Sequence, residues 1–311
     1  MIVIVFRHIN CLHLECQFHL AFHVQQRGFN MNKFRSGVLS ALLLGGSALT
    51  ALPAHAALLA SYTDFTGACG TTLTCVGSTT SATPVLRLTP AVSGQSGAAY
   101  STTAVTLGGG GVFSTAFQFR FTDTGGIAPA DGITFVLAAN PTGLGGAGGG
   151  IGYLGVPNSV AIEFDTFDNG EVGGSNHVAV DTNGALNGTG VSPYGVSSCG
   201  FGFTLGCMSN GEVWTVNIAY NGTNLTVTVQ DGANAVQNLI NTPIDISSLL
   251  GTNNAFVGFT AGTGAGFENH DILNWQFANT PRLDNGVPEP ASLVLLGLGL
   301  LGLGWSRRKK A

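Results

Sequence analysis

Hydrophobic and polar residues alternate one by one through much of the chain. From Phe113 to Phe121 every second residue is phenylalanine or threonine, and the residues between them are polar or small. The same alternation runs from Trp214 to Tyr220 and, after Asn221-Gly222, from Leu225 to Val229. Because successive side chains of a strand point to opposite faces, these runs predict half-buried β-strands, and the Asn-Gly pair predicts a hairpin turn.

Composition agrees with a chain built from strands. The 311 residues include 47 glycines, only 9% are charged, and no helix-period segment occurs outside the two ends. Many short strands joined by tight loops predict an all-β domain. Between Ala57 and Gly286 there are three basic residues against fourteen acidic ones. This balance argues against nucleic acid or an anionic membrane surface as a partner.

The segment from Val160 to Asp181 carries the candidate chemistry. Strand alternation places Glu163 and Asp165 on the face opposite the core, and a second alternating run that begins at His177 places the imidazole on that same face. Carboxylate and carbonyl oxygens suit Ca²⁺, and an added imidazole suits Mn²⁺ or another transition metal. We therefore expect a metal site here.

These residues belong to a series of motifs that resembles the L-type (legume-type) lectins. The resemblance covers about Leu58 to Ala278 and implies a concanavalin-like jelly-roll β-sandwich that binds sugar beside a Ca²⁺ and a transition-metal ion. The motifs, in the order of that family, are LRLTPA and SGAAYST (86–102), FSTAFQFRF (113–121), ADGITFVLA (130–138), GGGIG (148–152), EFDTFDN (163–169), VGFTAGTG (257–264) and HDILNWQF (270–277).

The resemblance assigns the sugar contacts. Asp131 and Asn169 are expected to hydrogen-bond the sugar, with a backbone N–H of Gly149 or Gly150, and Phe167 is expected to stack on it. A sugar-selecting loop is expected at Thr260 to Glu268, which contains Thr263 and Gly264. The resemblance also implies a cis peptide bond between Ala130 and Asp131.

The resemblance assigns the metal ligands as well, with one departure. They are Glu163, Asp165, Asn169, His177 and the backbone carbonyl of Phe167. The family has a further aspartate, about five residues before the histidine, that bridges both metals, whereas this chain has Val172 or its glycine neighbours there. Glu171 is the acid beside Asn169 that can substitute. His270, in contrast, is expected to satisfy a local hydrogen bond.

Both ends of the chain resemble targeting segments. Residues 31–56 have a basic start, an apolar run and an Ala-His-Ala cleavage site, which is typical of a secretory signal peptide. Residues 1–30 are interpreted as an upstream translation artefact, 57–278 as the lectin-like domain and 279–286 as a linker. Residues 287–311 resemble a PEP-CTERM sorting tail, which implies cleavage by an exosortase-type membrane protease and a secreted or surface protein that is only transiently anchored in the inner membrane.

Four cysteines lie within the expected domain, in two local pairs. Cys69 is close in sequence to Cys75, and Cys199 is close to Cys207. Because an exported protein occupies an oxidising compartment, two short-range disulfides are expected.

The resulting hypothesis is a secreted bacterial lectin that binds a glycan or extracellular polysaccharide without changing it, with Ca²⁺ as cofactor; a homodimer is left open. One alternative is a structural matrix protein with a vestigial sugar site. Another is a laminarinase-like glycoside hydrolase, since Glu163 to Asp168 comes within one methylene of that family's E-x-D-x-x-E signature. Retaining hydrolysis needs two carboxyl groups about 5 to 5.5 Å apart, but positions 163 and 168 have opposite strand parity.

Overall fold

A computed structural model describes residues 58–171, 173–193 and 207–283. Both targeting segments, Val172 and Cys199 lie outside these residues, as does the end of the expected linker. Within the described residues no helix is long and apolar enough to cross a membrane.

The described residues form sixteen strands, one short α-helix and two 3₁₀ turns, Gly109–Gly111 and Gly148–Gly150. The strands are β1 (Leu58–Tyr62), β2 (Leu73–Gly77), β3 (Thr80–Ala82), β4 (Val85–Thr89), β5 (Ser96–Ser101), β6 (Val105–Thr106), β7 (Phe113–Gly126), β8 (Gly132–Ala138), β9 (Ser159–Asp165), β10 (His177–Thr182), β11 (Ala185–Pro193), β12 (Trp214–Tyr220), β13 (Asn224–Asp231), β14 (Gln237–Pro243), β15 (Asn254–Gly262) and β16 (Gly266–Ala278). The helix, α1 (Ile246–Leu250), begins after Asp245, whose side chain accepts the Ser248 N–H, and ends at Gly251. The sequence pattern did not predict it, since a single turn leaves no helical period to detect.

Two antiparallel sheets of eight strands pack face to face. The back sheet has the order β14-β13-β12-β7-β16-β4-β3, with β1 also paired to β16. The front sheet has the order β11-β10-β9-β8-β15-β5-β2, with β6 also paired to β15. The all-β jelly-roll sandwich expected from the sequence is therefore confirmed, as is the hairpin of β12 and β13, in which Tyr220 lies opposite Leu225.

Phenylalanines join the sheets across the core. On β7 of the back sheet Phe117 is 1% exposed. Its ring lies 5.8 Å from that of Phe164 on β9 and 5.0 Å from that of Phe259 on β15, both in edge-on arrangements. Such aromatic pairs add to the hydrophobic effect of burying the rings, so they fix the inner face of the front sheet and thereby the direction of its outer face.

A loop covers the outer face of the front sheet. Tyr153 and Val156, in the segment 139–158 between β8 and β9, pack against Val136 and Ala161 in a second apolar cluster. The Tyr100 hydroxyl donates to the Gly143 carbonyl at 2.7 Å, which ties the loop to β5. Every residue of β8 and β9 is consequently buried, although the sequence of β9 alternates in polarity. This cover removes the carboxylates of β9 from solvent.

One of the two expected disulfides is formed within the described residues. Cys69 is bonded to Cys75. Cys207 is also disulfide-bonded, while its expected partner Cys199 is not among the described residues.

Candidate functional site

Strand register brings the carboxylates and the imidazole together. Asp165 on β9 lies between Gly132 on β8 and His177 on β10. Glu163 lies one pleat further along the same face of β9. The face assignment made from alternation is therefore confirmed.

Glu163, Asp165 and His177 form one compact group. One ligand atom from each lies within 4.8 Å of the others, and the three residues are 3%, 2% and 1% exposed. His177 Nδ1 lies 2.8 Å from the Gly174 carbonyl oxygen, which can only accept, so Nδ1 carries the proton. In neutral His177 the Nε2 lone pair then faces Glu163 Oε2 at 3.5 Å. Fixing the tautomer in this way prepares Nε2 to bind a cation.

The two carboxylates of this group are buried, and the nearest basic side chain among the described residues is His177 of the group itself. Burial raises the pKa of Asp165 well above its usual value, and the neighbouring charge of Glu163 adds to the effect. Burial lowers the pKa of His177, but its hydrogen bond to Glu163 and the charge of that carboxylate outweigh this and leave the pKa raised. Within the described residues no lysine or arginine forms a salt bridge with Glu163 or Asp165. Buried carboxylates without a counter-charge are costly, so this donor set fits a bound cation.

The turn after β9 positions the next candidate ligands. Asp165 Oδ1 accepts the Phe167 N–H at 2.6 Å, and the Asn169 N–H donates to Glu171 Oε1 at 3.1 Å. Phe167 is half-buried and Asn169 is exposed. Glu171 does not belong to the compact acidic group; it holds the backbone of Asn169, and its substitution for the missing aspartate stays a prediction.

Asp131 is 3% exposed, and its carboxylate lies beside the backbone of Gly148 and Gly264. The Ala130–Asp131 peptide bond is cis, as expected from the sequence. Burial raises the pKa of Asp131 to about 7, opposed by a hydrogen bond from the Gly264 backbone. A Cβ on Gly264 would lie 3.2 Å from Asp131 Oδ2, and a Cβ on Gly149 would overlap the Asn169 carboxamide. A Cβ on Gly148, next to Gly149, would lie 3.9 Å from Asp131 Oδ2, so the two pairs are neighbours and Asp131, Gly149, Asn169 and Gly264 lie close together.

The expected sugar-selecting segment is mostly strand. Of residues 260–268, only Thr263, Gly264 and Ala265 lie between β15 and β16. Thr263 is fully buried, accepts the Gln95 N–H at 2.9 Å and donates to the Val92 carbonyl at 2.6 Å. Its own carbonyl accepts the Gly148 N–H, which joins this turn to the glycine-rich loop.

Sequence reasoning missed Thr166, which holds Asp131 in place. The Thr166 N–H and hydroxyl both donate to the Asp131 carbonyl, at 2.8 and 2.9 Å. The alternation had placed Thr166 on the core side of the strand, and nothing in that pattern reveals a hydrogen bond to a distant loop. His270, by contrast, makes the local hydrogen bond expected of it, with Nδ1 2.6 Å from the Thr89 hydroxyl.

Comparison with known proteins agrees with this arrangement. The model of the legume lectin domain matches residues 59–291. The chain belongs to the legume lectin domain family. A PEP-CTERM protein-sorting motif matches residues 286–309, as the sequence of that end predicted.

Plant proteins are among the relatives of this legume lectin domain. A probable L-type lectin-domain containing receptor kinase VII.2 of Arabidopsis thaliana is 32% identical over 182 residues, 54% of this chain and 26% of the kinase. A seed lectin of Styphnolobium japonicum is 31% identical over 180 residues, 54% of this chain and 57% of the lectin. The chain thus spans about a quarter of the length of the kinase and somewhat over half of the length of the seed lectin.

Solved lectin structures share the fold. Lectin I-B4 from Griffonia simplicifolia, in a metal-free form, superposes with a TM-score of 0.60 at 22% identity, covering 70% of this chain and 98% of the lectin. A lectin from Bauhinia forficata in complex with GalNAc superposes with a TM-score of 0.59 at 21% identity, covering 71% of this chain and 98% of the lectin. The legume lectin domain here is therefore a concanavalin-like sandwich.

Replacing Asp165 with asparagine should stabilise the metal-free domain. The change removes a buried charge beside Glu163 and keeps an acceptor for the Phe167 N–H, so the free energy of unfolding should rise by about 1 to 3 kcal/mol. Urea unfolding in excess chelator measures it, and Asp168→Asn, which changes an exposed acid in the same segment, is the matched control. A lower stability for D165N than for the control variant would show that the charge of Asp165 does not destabilise the metal-free domain.

Proposed function

We propose that this protein is a Ca²⁺-dependent lectin that binds carbohydrate at the pocket around Asp131. The observation that carries the proposal is the convergence of Asp131, Gly149, Asn169 and Gly264 beside the buried group that includes Asp165. Convergent polar groups on a rigid sheet, next to an acidic group that fits a cation, are what a small-ligand site requires.

Each residue at the pocket has a distinct proposed role. The Asp131 carboxylate accepts hydrogen bonds from sugar hydroxyls, because its Oδ2 makes none within the described residues. The Asn169 amide donates to the sugar, and the half-buried Phe167 ring covers an apolar sugar face. Gly149 supplies the backbone N–H, because the N–H of Gly150 already donates to the Ala147 carbonyl at 3.2 Å. Thr263 and Gly264 form the adjacent wall.

The cations are proposed to bind the acidic group and the turn that follows it. Oxygens of Asp165 and Asn169 and the Phe167 carbonyl suit Ca²⁺, whereas Glu163, Asp165 and His177 suit Mn²⁺ or another transition metal. Bound cations would neutralise the carboxylates. The residues of this chain then do the positioning: Asp165 holds the Phe167 N–H, and Glu171 holds the Asn169 N–H.

We propose that the domain leaves its ligand chemically unchanged. Asp168, the second carboxylate of the hydrolase signature, is exposed and accepts the Gly170 N–H at 2.8 Å, whereas Glu163 is buried on the front sheet. The two side chains therefore differ in environment, in agreement with their opposite strand parity. A structural matrix protein with a vestigial site is the second candidate, favoured by the position of Glu171 outside the acidic group.

A glycan array probed with and without metal tests the function. The protein loaded with Ca²⁺ and Mn²⁺ should bind a defined set of glycans, recovered intact, and chelator should abolish the binding. Asp131→Asn should lower the affinity at least about tenfold, because it replaces an acceptor of two hydroxyl protons, while Asp64→Asn, a change at an exposed acid, should not. Absence of binding to any glycan in the metal-loaded protein would favour the vestigial site, and release of shortened glycans would favour the hydrolase.

Gly149→Ala should impair the proposed sugar site while the domain stays folded. The new Cβ would overlap the Asn169 carboxamide, so Asn169 must move and the affinity for a glycan found on the array should fall by about tenfold. Gly109→Ala is the matched control, because a Cβ there meets no atom within 4 Å. Equal affinities for the two variants would remove Gly149 and Asn169 from the site.

We also propose that the carboxyl-terminal tail is removed at the Pro-Glu-Pro motif and that the mature protein is secreted or held at the cell surface. The proposal rests on the sorting motif matched at residues 286–309 and on the basic cluster Arg307-Arg308-Lys309-Lys310. This cluster should stay on the cytoplasmic side of the membrane. Intact-mass analysis of the protein from its source cells should find a product that lacks residues 305–311. A mature product that retains them would instead indicate a protein anchored in the membrane.

A further inference from the structure

Glu268, near the start of β16, is a buried carboxylate outside the metal group. Its residue exposure is 0%. Oε1 accepts the Ser209 hydroxyl at 2.8 Å and lies 3.4 Å from His270 Nε2, while Oε2 makes no hydrogen bond within the described residues. No lysine or arginine forms a salt bridge with it there. An apolar side chain of similar volume would occupy such a site at lower cost.

One side of Glu268 leads to the proposed sugar site. Glu268 Oε1 lies 3.4 Å from the Thr166 hydroxyl. That hydroxyl and the Thr166 N–H are the two donors to the Asp131 carbonyl. Because the hydroxyl carries a single hydrogen, it donates to only one of these two oxygens at a time, and the Asp131 carbonyl is the nearer. Glu268 is therefore in direct contact with the side chain that supports the Asp131 backbone.

The other side of Glu268 leads to the metal group. Ser209 follows Met208, whose N–H donates to Asn176 Oδ1 at 3.0 Å. Asn176 is fully buried and directly precedes His177. The Ser209 hydroxyl therefore ties the segment that supports the start of β10 to the same carboxylate oxygen that Thr166 faces.

His270, two residues further along β16, lies beside Glu268. The His270 ring lies 4.6 Å, edge-on, from that of Phe121, and its Nδ1 contacts the Thr89 hydroxyl. These two contacts aim Nε2 at Glu268 Oε1.

We propose that Glu268 is a positioning residue that holds the Asp131 half and the His177 half of the pocket at a fixed spacing. Thr166 carries one arm of this connection, and Ser209, Met208 and Asn176 carry the other. The inference rests on the proposed function for its purpose, but its geometry can be tested without a sugar.

Hydrogen exchange, unfolding and metal titration of the full domain test the proposal. In Glu268→Leu the Thr166 and Met208 amides should exchange at least about tenfold faster, and the affinity for Ca²⁺ alone should fall about tenfold. The urea midpoint should stay the same or rise, because a buried charge has been removed. Glu268→Gln, which keeps an acceptor for Ser209, should restore most of the protection.

Two further variants separate the arms. Ser209→Ala should speed exchange at Met208 but not at Thr166, and Thr166→Val should do the reverse. Ser114→Ala is the control, since it removes a buried hydroxyl that makes no hydrogen bond within the described residues, near the start of β7. Unchanged exchange in Glu268→Leu, or faster exchange only in proportion to a lower urea midpoint, would overturn the proposal. Unchanged exchange in Glu268→Leu would say nothing against sugar binding, so failure of this proposal is distinct from failure of the proposed function.

Discussion

The proposed sugar site depends on two carboxylates, Glu163 and Asp165, that are buried side by side with no lysine or arginine paired to them within the described residues. Glu163 and Asp165 lie on the outer face of the front sheet, which in many sandwiches is open to water, but here the loop between β8 and β9 covers it. Burial would be unfavourable for two such charges alone. In the proposed function, a cation held by Glu163, Asp165 and His177 would offset these charges and support the turn that carries Phe167 and Asn169.

The fold supplies that arrangement through register. Because β8, β9 and β10 pair without a shift over the residues concerned, Gly132, Asp165 and His177 lie side by side. The phenylalanines of the core fix the register of the front sheet, since a slip of β9 by one residue would move Phe164 outward and both carboxylates inward. Gly132 also matters, because a Cβ there would overlap the Phe164 carbonyl.

Much of this could be predicted from the sequence, for a simple reason. Strand alternation has a period of two, so Phe117, Glu163 and His177 could each be assigned to a face, and the ordered motifs added the family and the cis bond before Asp131. Alternation does not tell what lies over a face, so the burial of Asp165 was not predictable. Nor does it tell which side chains meet across the core, and for that reason Thr166 and Glu268 were missed. The five-residue helix α1 was too short to show a period.

The central claim is that the buried acidic group is a cation site that organises the pocket, and anomalous X-ray scattering from crystals soaked in Mn²⁺ tests it most directly. The account predicts a strong anomalous peak in contact with Glu163, Asp165 and His177, with Asn169 and Asp131 ordered beside it, and loss of that peak in Asp165→Asn. Crystals of the folded wild-type domain that show no peak at this group, or a peak only elsewhere, would contradict it.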